Sequence, residues 1–300
     1  MSTPTSQLDL HVSFWGTRGS ISTPGRATEK YGGNTPCVSV QHKDTLIVLD
    51  SGTGIRNLGL SLTEALKAGT IKMPIHLFLS HTHWDHIQGL PFFGPAYTPG
   101  VKLDVYGSAR KGGFLESILQ GQMDYDYFPV DMNAFGAELT VHEMTDKSID
   151  IGPLHIEWQE QVFHPGGCVR YSITVNGRKV VYASDVELNK IFRPAEPSDE
   201  LAELGKQYMD FIRDAEILIA DGQYTESEYA AVTGWGHTTI PLIVETAYAA
   251  GVKQLALFHH DPQRSDKMID EFWKEWYPRY HDKSPPMNIF WAREGLTVPV

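Results

Sequence analysis

The sequence predicts an α/β protein built as a single domain, residues 1–300, of two internally similar halves. Three observations predict it. Short apolar strands lead and helical patterns follow, the order recurs in the second half, and no long polar linker separates the halves. The first fifty residues read as strands at 11–15, 37–41 and 45–50, punctuated by glycine-rich turns. Ile55, Leu58, Leu62 and Leu66 recur at helical spacing, so a helix is predicted over 55–68 with Gly69 as its stop. A strand over 75–79 runs straight into the run from Ser80 to His86, and a short helix is predicted after it at 87–90. A strand at 103–106, a helix at 110–120 and an aromatic, turn-rich stretch at 123–135 follow. Further strands are predicted at 139–143, 154–163, 169–175 and 179–183, the last two joined by Asn176-Gly177, a strong hairpin signal. Helices at 201–212, 240–250 and 265–276 alternate with strands at 217–220 and 254–258. Pro241 is tolerated because it falls in the first turn of its helix, and a closing strand is predicted near 292–298.

The composition, 41% hydrophobic and 21% charged, supplies ample material for a core and excludes a disordered chain. A formal charge of −12 removes the diffuse positive field that grips long nucleic acid. A small anionic ligand stays open, because a buried cation or metal overrules global charge locally. Cys37 and Cys168 lack zinc-finger spacing and read as free buried thiols of a reducing compartment. The N-terminal residues lack the pattern of a secretory leader, and no apolar run reaches about 18 residues, so a cytoplasmic protein without a membrane partner is expected. The oligomeric state is left open, a homodimer included.

The densest chemical signal is His81-Thr82-His83-Trp84-Asp85-His86, three imidazoles and a carboxylate in six residues. In an extended segment His81 and His83 point to the same side. Asp85 and His86 come where the chain bends toward a helix, and so face a second position. Imidazole and carboxylate together suit zinc, iron or manganese. Further ligands are sought just past strand ends, where His81 itself stands. His164, Asp185 and His259 pass that test.

This set resembles the metallo-β-lactamase superfamily, whose mark is HxHxDH followed by a later His, Asp and His, and the resemblance covers nearly the whole chain. It implies an αββα four-layer sandwich. It also implies two divalent metal ions, zinc first with manganese or iron as alternatives. His81, His83 and His164 would hold one ion and Asp85, His86 and His259 the other, with Asp185 bridging and Asp85 also counted in the catalytic set. His260 is the alternative to His259. Asp50, in Asp50-Ser51-Gly52-Thr53-Gly54, looks like the family's structural aspartate beneath the metal loop.

The run from Gly234 to Thr239 looks like the GHST-type element of the phosphodiesterase branch, which includes transfer-RNA 3′-processing endonucleases and phosphoribosyl cyclic phosphodiesterases. There His237 would act as general acid, since an alkoxide leaving group needs a proton from a group titrating near neutrality. Phe14-Trp15-Gly16-Thr17-Arg18-Gly19-Ser20 is similar to this branch as well. Arg18 is read either as a phosphate contact or as a structural arginine, and Tyr127, in a segment around 110–137 that would cap the site, either as a substrate contact or as part of a satellite core. No Gly/Pro-rich basic arm of the transfer-RNA enzymes is found between Asp185 and His237. The expectation is therefore hydrolysis of a small anionic phosphodiester, cyclic nucleotide or cyclic ribose phosphate, by a metal-bound hydroxide. The rivals are a metal-dependent hydrolase of a lactone or thioester and a non-catalytic metal-bound sensor or interaction module.

Overall fold

A computed structural model describes residues 10–71, 73–108, 113–280 and 286–300. The start of the helix read from Arg110, and the N-terminal residues searched for a leader, lie outside them. The chain forms two compact units: 10–22, Gly32–Asp146 and Arg293–Val300 make the first, Thr23–Tyr31 and Lys147–Ala292 the second.

The first unit holds strands β1 (Leu10–Gly16), β2 (Cys37–His42), β3 (Thr45–Leu49), β4 (Ile75–Phe78), β5 (Lys102–Gly107), β6 (Glu138–Glu143) and, from the distant end of the sequence, β14 (Thr297–Pro299). Its sheet runs β14-β1-β2-β3-β4-β5-β6. Pairing is antiparallel as far as β3 and parallel from β3 to β6. The change follows from the connections. A two-residue loop with Lys43 at φ 55° turns β2 back on β3, whereas helix α1 (Ile55–Lys67) carries the chain across to the parallel strand β4. Helix α1 buries Ile55, Leu58 and Leu62 and is followed closely by Gly69 at φ 67°, the predicted stop. Helix α2 (Trp84–Ile87) lies inside the histidine motif, earlier than the helix predicted at 87–90, so Asp85 and His86 are helical residues. Helix α3 (Leu115–Gly121) packs Leu115 and Leu119 into the same core as Leu77, Leu103 and Val105.

The second unit repeats the plan in reverse. Its strands are β7 (Ser148–Ile151), β8 (Leu154–Gln161), β9 (Cys168–Val175), β10 (Arg178–Ala183), β11 (Ile217–Asp221), β12 (Gln254–Phe258) and β13 (Asn288–Trp291), paired in the order β13-β12-β11-β10-β9-β8-β7. Here β7 to β10 are antiparallel and β10 to β13 parallel. The predicted hairpin closes with Asn176 at φ 51° and Gly177 at φ 76°, the two positive angles of a type I′ turn. Helix α4 (Asn189–Phe192) is a single turn. Helices α5 (Asp199–Ile212), α7 (Ile240–Ala249) and α8 (Asp266–Trp276) share one core with β10 to β13, and Ser198 and Ser265 cap α5 and α8. Helix α6 (Glu226–Val232) escaped the sequence because it buries no residue and has no apolar stripe to read, although Thr225 and Glu228 form a capping box. The single closing strand expected near 292–298 is two strands of different sheets, β13 and β14, separated by a turn at Gly295, φ 76°. Both cysteines are buried and free, as expected. Among the described residues no helix is long and apolar enough to cross a membrane.

Candidate metal centre

In the first unit the site grows from the ends of β3 and β4. Asp50 follows β3 at φ 61° and is fully buried. Its Oδ1 accepts from Ser80 N at 2.7 Å, and its Oδ2 accepts from Ser80 Oγ at 2.8 Å and from His86 Nδ1 at 2.7 Å. The loop after β3 is knitted to the motif by Ser51 N donating to His86 O and Gly89 N donating to Ser51 O, each at 2.8 Å. With its Nδ1 held by a carboxylate, His86 turns Nε2 toward Asp85 Oδ2, 3.3 Å away. The ring of His81 stands 4.4 Å from that of His83 and 4.2 Å from that of His86. Asp85 Oδ2 accepts from Ser20 N at 2.8 Å, which brings the Gly16–Ser20 turn against the motif.

Asp50 thus braces the loop without joining the donors. Asp50→Ala strands Ser80 N and His86 Nδ1 in a buried position, and a loss of about 2–5 kcal/mol in unfolding free energy is expected. Denaturant titration measures it, and a loss below about 1 kcal/mol would show that the brace is dispensable.

In the second unit three imidazoles gather around Asp185, which follows β10 at φ 58°. His164 follows β8 and lies 3.8 Å from Asp185 Oδ2 through Nε2, while its Nδ1 donates to Gly236 O at 3.2 Å. A carbonyl can only accept, so His164 Nδ1 carries the proton and Nε2 the lone pair. His259 follows β12 at φ 59°, with Nδ1 on Gln223 Oε1 at 2.8 Å and Nε2 3.4 Å from Asp185 Oδ2. Its neighbour His260 instead places Nε2 2.7 Å from Ala292 O. His237 sets Nδ1 on Asp221 Oδ2 at 2.8 Å, stacks on His259 at 4.9 Å and stands 5.5 Å from His164. The donor atoms of His164, Asp185 and His237 fall within 4.8 Å of one another, as do those of Asp221, His237 and His259.

These donors fit a divalent cation. They are nitrogen and oxygen groups on side chains that are buried apart from the exposed His83, and the far nitrogens of His86, His164 and His259 are each held by an oxygen acceptor, the arrangement that orients metal-bound imidazole.

Three residues of this site were missed by sequence reading. Asp221 and Gln223 hold the outer nitrogens of His237 and His259. Asp221 is the last residue of β11, so the strand-end test would have found it had that strand been carried one residue further. Glu187 is a buried carboxylate beneath the His237 loop. It accepts from Tyr229 Oη at 2.6 Å, and burial together with this bond pushes the tyrosine pKa above its ordinary range and keeps it a donor. Of the proposed substrate contacts, Arg18 is fully buried and donates through Nε and Nη2 to Gly32 O at 3.2 and 2.9 Å. Tyr127 is 80% exposed, next to Phe128, whose ring meets Phe92 edge-on at 5.4 Å.

Two mixed sheets carrying helices, with imidazoles and carboxylates where strands end, make a scaffold suited to holding a divalent cation. A sequence profile of the beta-lactamase superfamily domain matches residues 45–260, and the chain belongs to that family. It is similar to the ribonuclease Z of Haloarcula marismortui, 21% identical over 296 residues that span 88% of this chain and 91% of the relative. Among solved structures, the metallo-β-lactamase fold protein YhfI of Bacillus subtilis matches with a TM-score of 0.67 at 19% identity, over 97% of this chain and 99% of that one. The short form of human tRNase Z matches with a TM-score of 0.62 at 16% identity, over 97% and 99%. These likenesses establish the metallo-β-lactamase α/β sandwich fold.

Proposed function

We propose that the chain hydrolyses a small phosphodiester of the cyclic nucleotide or cyclic ribose phosphate class. The reading includes two divalent ions, zinc first, assigned on the family pattern. His81, His83 and His164 would hold one ion, Asp85, His86 and His259 the other, with Asp185 shared. When bound, such ions activate water and neutralise phosphate charge. The observation that carries the proposal is His237 on Asp221. A carboxylate on Nδ1 fixes the ring and its orientation, so that Nε2 would be the atom that hands a proton to the departing oxygen. Phosphodiester cleavage needs such a proton donor, whereas a thioester expels a thiolate that leaves unaided.

Charge supports a small substrate over RNA. The stretch 186–236 carries eleven acidic residues against four basic ones, and it is occupied by α4, α5, β11 and α6 with no basic arm. Tyr127 stays in the proposal as a base contact, whereas Arg18, fully buried with its guanidinium on Gly32 O, fits the structural arginine of its two readings.

Elemental analysis of protein purified without chelators is expected to approach two metal equivalents per chain. In parallel, 2′,3′-cyclic nucleotides and cyclic ribose phosphates should turn over faster than a transfer-RNA precursor. Cleavage of the precursor alone would replace the small-substrate reading. A fold and activity indifferent to complete metal removal would overturn the metal assignment.

A further inference from the structure

The loop that carries His237 is held more firmly than a connection requires. Gly234 and Gly236 take φ values of 94° and 90°, open to glycine at little cost. The amides of both converge on one buried carboxylate: Gly234 N donates to Glu187 Oε1 at 2.8 Å and Gly236 N to Oε2 at 3.2 Å. Tyr229 Oη and, at 3.3 Å, Lys190 Nζ complete the surroundings of that anion. A Cβ on Gly236 would fall 2.4 Å from His164 Nδ1 and 2.6 Å from Pro165 Cδ, so backbone and imidazole are pressed together there. The two glycines permit a tight turn that Glu187 then locks.

Between them stands Trp235, 62% exposed. Scattered exposed aromatics are ordinary on protein surfaces. This one differs because the backbone on both sides is anchored to a buried charge, and because its Cα lies at most about 7 Å from that of His237, two residues on. An indole on a fixed backbone gives up little further freedom when it binds, which is the condition for a preorganised contact.

We propose that Trp235 is the platform on which the planar base of a nucleoside phosphodiester stacks, so that the substrate is a nucleotide rather than a bare ribose phosphate. The inference rests on the phosphodiesterase reading above. His237 addresses the departing oxygen, so the residue beside it meets the nucleoside to which that oxygen belongs. Every base presents a π-face, and stacking on indole needs no particular pattern of hydrogen bonds. The global negative charge is no obstacle, because the base is neutral.

The test is equilibrium binding by calorimetry of AMP and of ribose 5-phosphate to the protein as purified and to its Trp235→Ala and Trp235→Phe variants. The protein is expected to prefer AMP by roughly 5- to 100-fold, the range of one base–aromatic stack. Trp235→Ala should abolish most of that ratio, and Trp235→Phe, which keeps a ring, should retain most of it. A wild-type protein without the preference, a ratio that survives Trp235→Ala, or an equal loss for both ligands overturns the proposal. Binding is read without turnover. A chain that stacks AMP but hydrolyses no phosphodiester would refute the parent reading alone, and a phosphodiesterase indifferent to the base would refute this one alone.

Discussion

His237→Ala is expected to lower turnover of a sugar phosphodiester by roughly 10²–10⁴-fold, the usual contribution of a positioned general acid, while bound metal stays in place. The reason is geometric. His237 is fixed by Asp221 on Nδ1 and stacked on His259, so its ring has one orientation and Nε2 one direction. A sugar alkoxide is a poor leaving group and depends on that proton, whereas a nitrophenolate does not. The loss should therefore shrink strongly with a nitrophenyl phosphodiester. Asp221→Asn should show the same dependence in weaker form, since it keeps the shape of the partner and removes its charge. Rates across leaving groups of graded pKa, with metal content determined on the same samples, make the measurement. A uniform loss across all leaving groups, or loss of metal, would make His237 a ligand or a structural residue instead; its closeness to His164 and Asp185 gives that outcome a concrete form.

Asp185→Asn is expected to weaken metal retention by more than the roughly 10–100-fold typical of a residue that merely supports a ligand. Asp185 Oδ2 is the oxygen addressed by both His164 and His259, at 3.8 and 3.4 Å. Asparagine suits the test better than alanine, because it tolerates the φ of 58° and folding is spared. Dialysis against a graded chelator, followed by elemental analysis, reads the affinity. Full metal content with near-normal turnover would move the shared position to another carboxylate.

Much of this site was legible because its signals are local. Three histidines and an aspartate within six residues need no tertiary knowledge, and His164, Asp185 and His259 stand out once strand ends are located. The hairpin at Asn176-Gly177 and the stop of α1 at Gly69 were equally readable, since each depends on one residue's backbone preference. What was not legible depends on partners far along the chain. Asp221 meets His237 across 16 residues, and Glu187 meets Gly234 and Gly236 across 47 and 49. A lone acidic residue in a loop carries no mark of the amide or imidazole it will face. Helix α6 was hidden for the opposite reason, having no buried face to impose a period. Arg18 was readable only as an alternative, because a guanidinium looks the same in sequence whether it meets a phosphate or a backbone carbonyl.

The positive φ angles at Asp50, Asp185 and His259 limit what evolution can try at these strand ends. A residue there has to visit the left-handed region, which most side chains enter at a cost of roughly 1–2 kcal/mol, and must also offer an oxygen or nitrogen donor. Glycine meets the first demand and fails the second; glutamate and glutamine meet the second without any particular tolerance for the first. Aspartate, asparagine and histidine satisfy both. The alphabet open to these three positions is therefore already narrowed by the backbone before any cation exerts its own preference, so drift at them should run through a handful of letters even in lineages that have exchanged one metal for another.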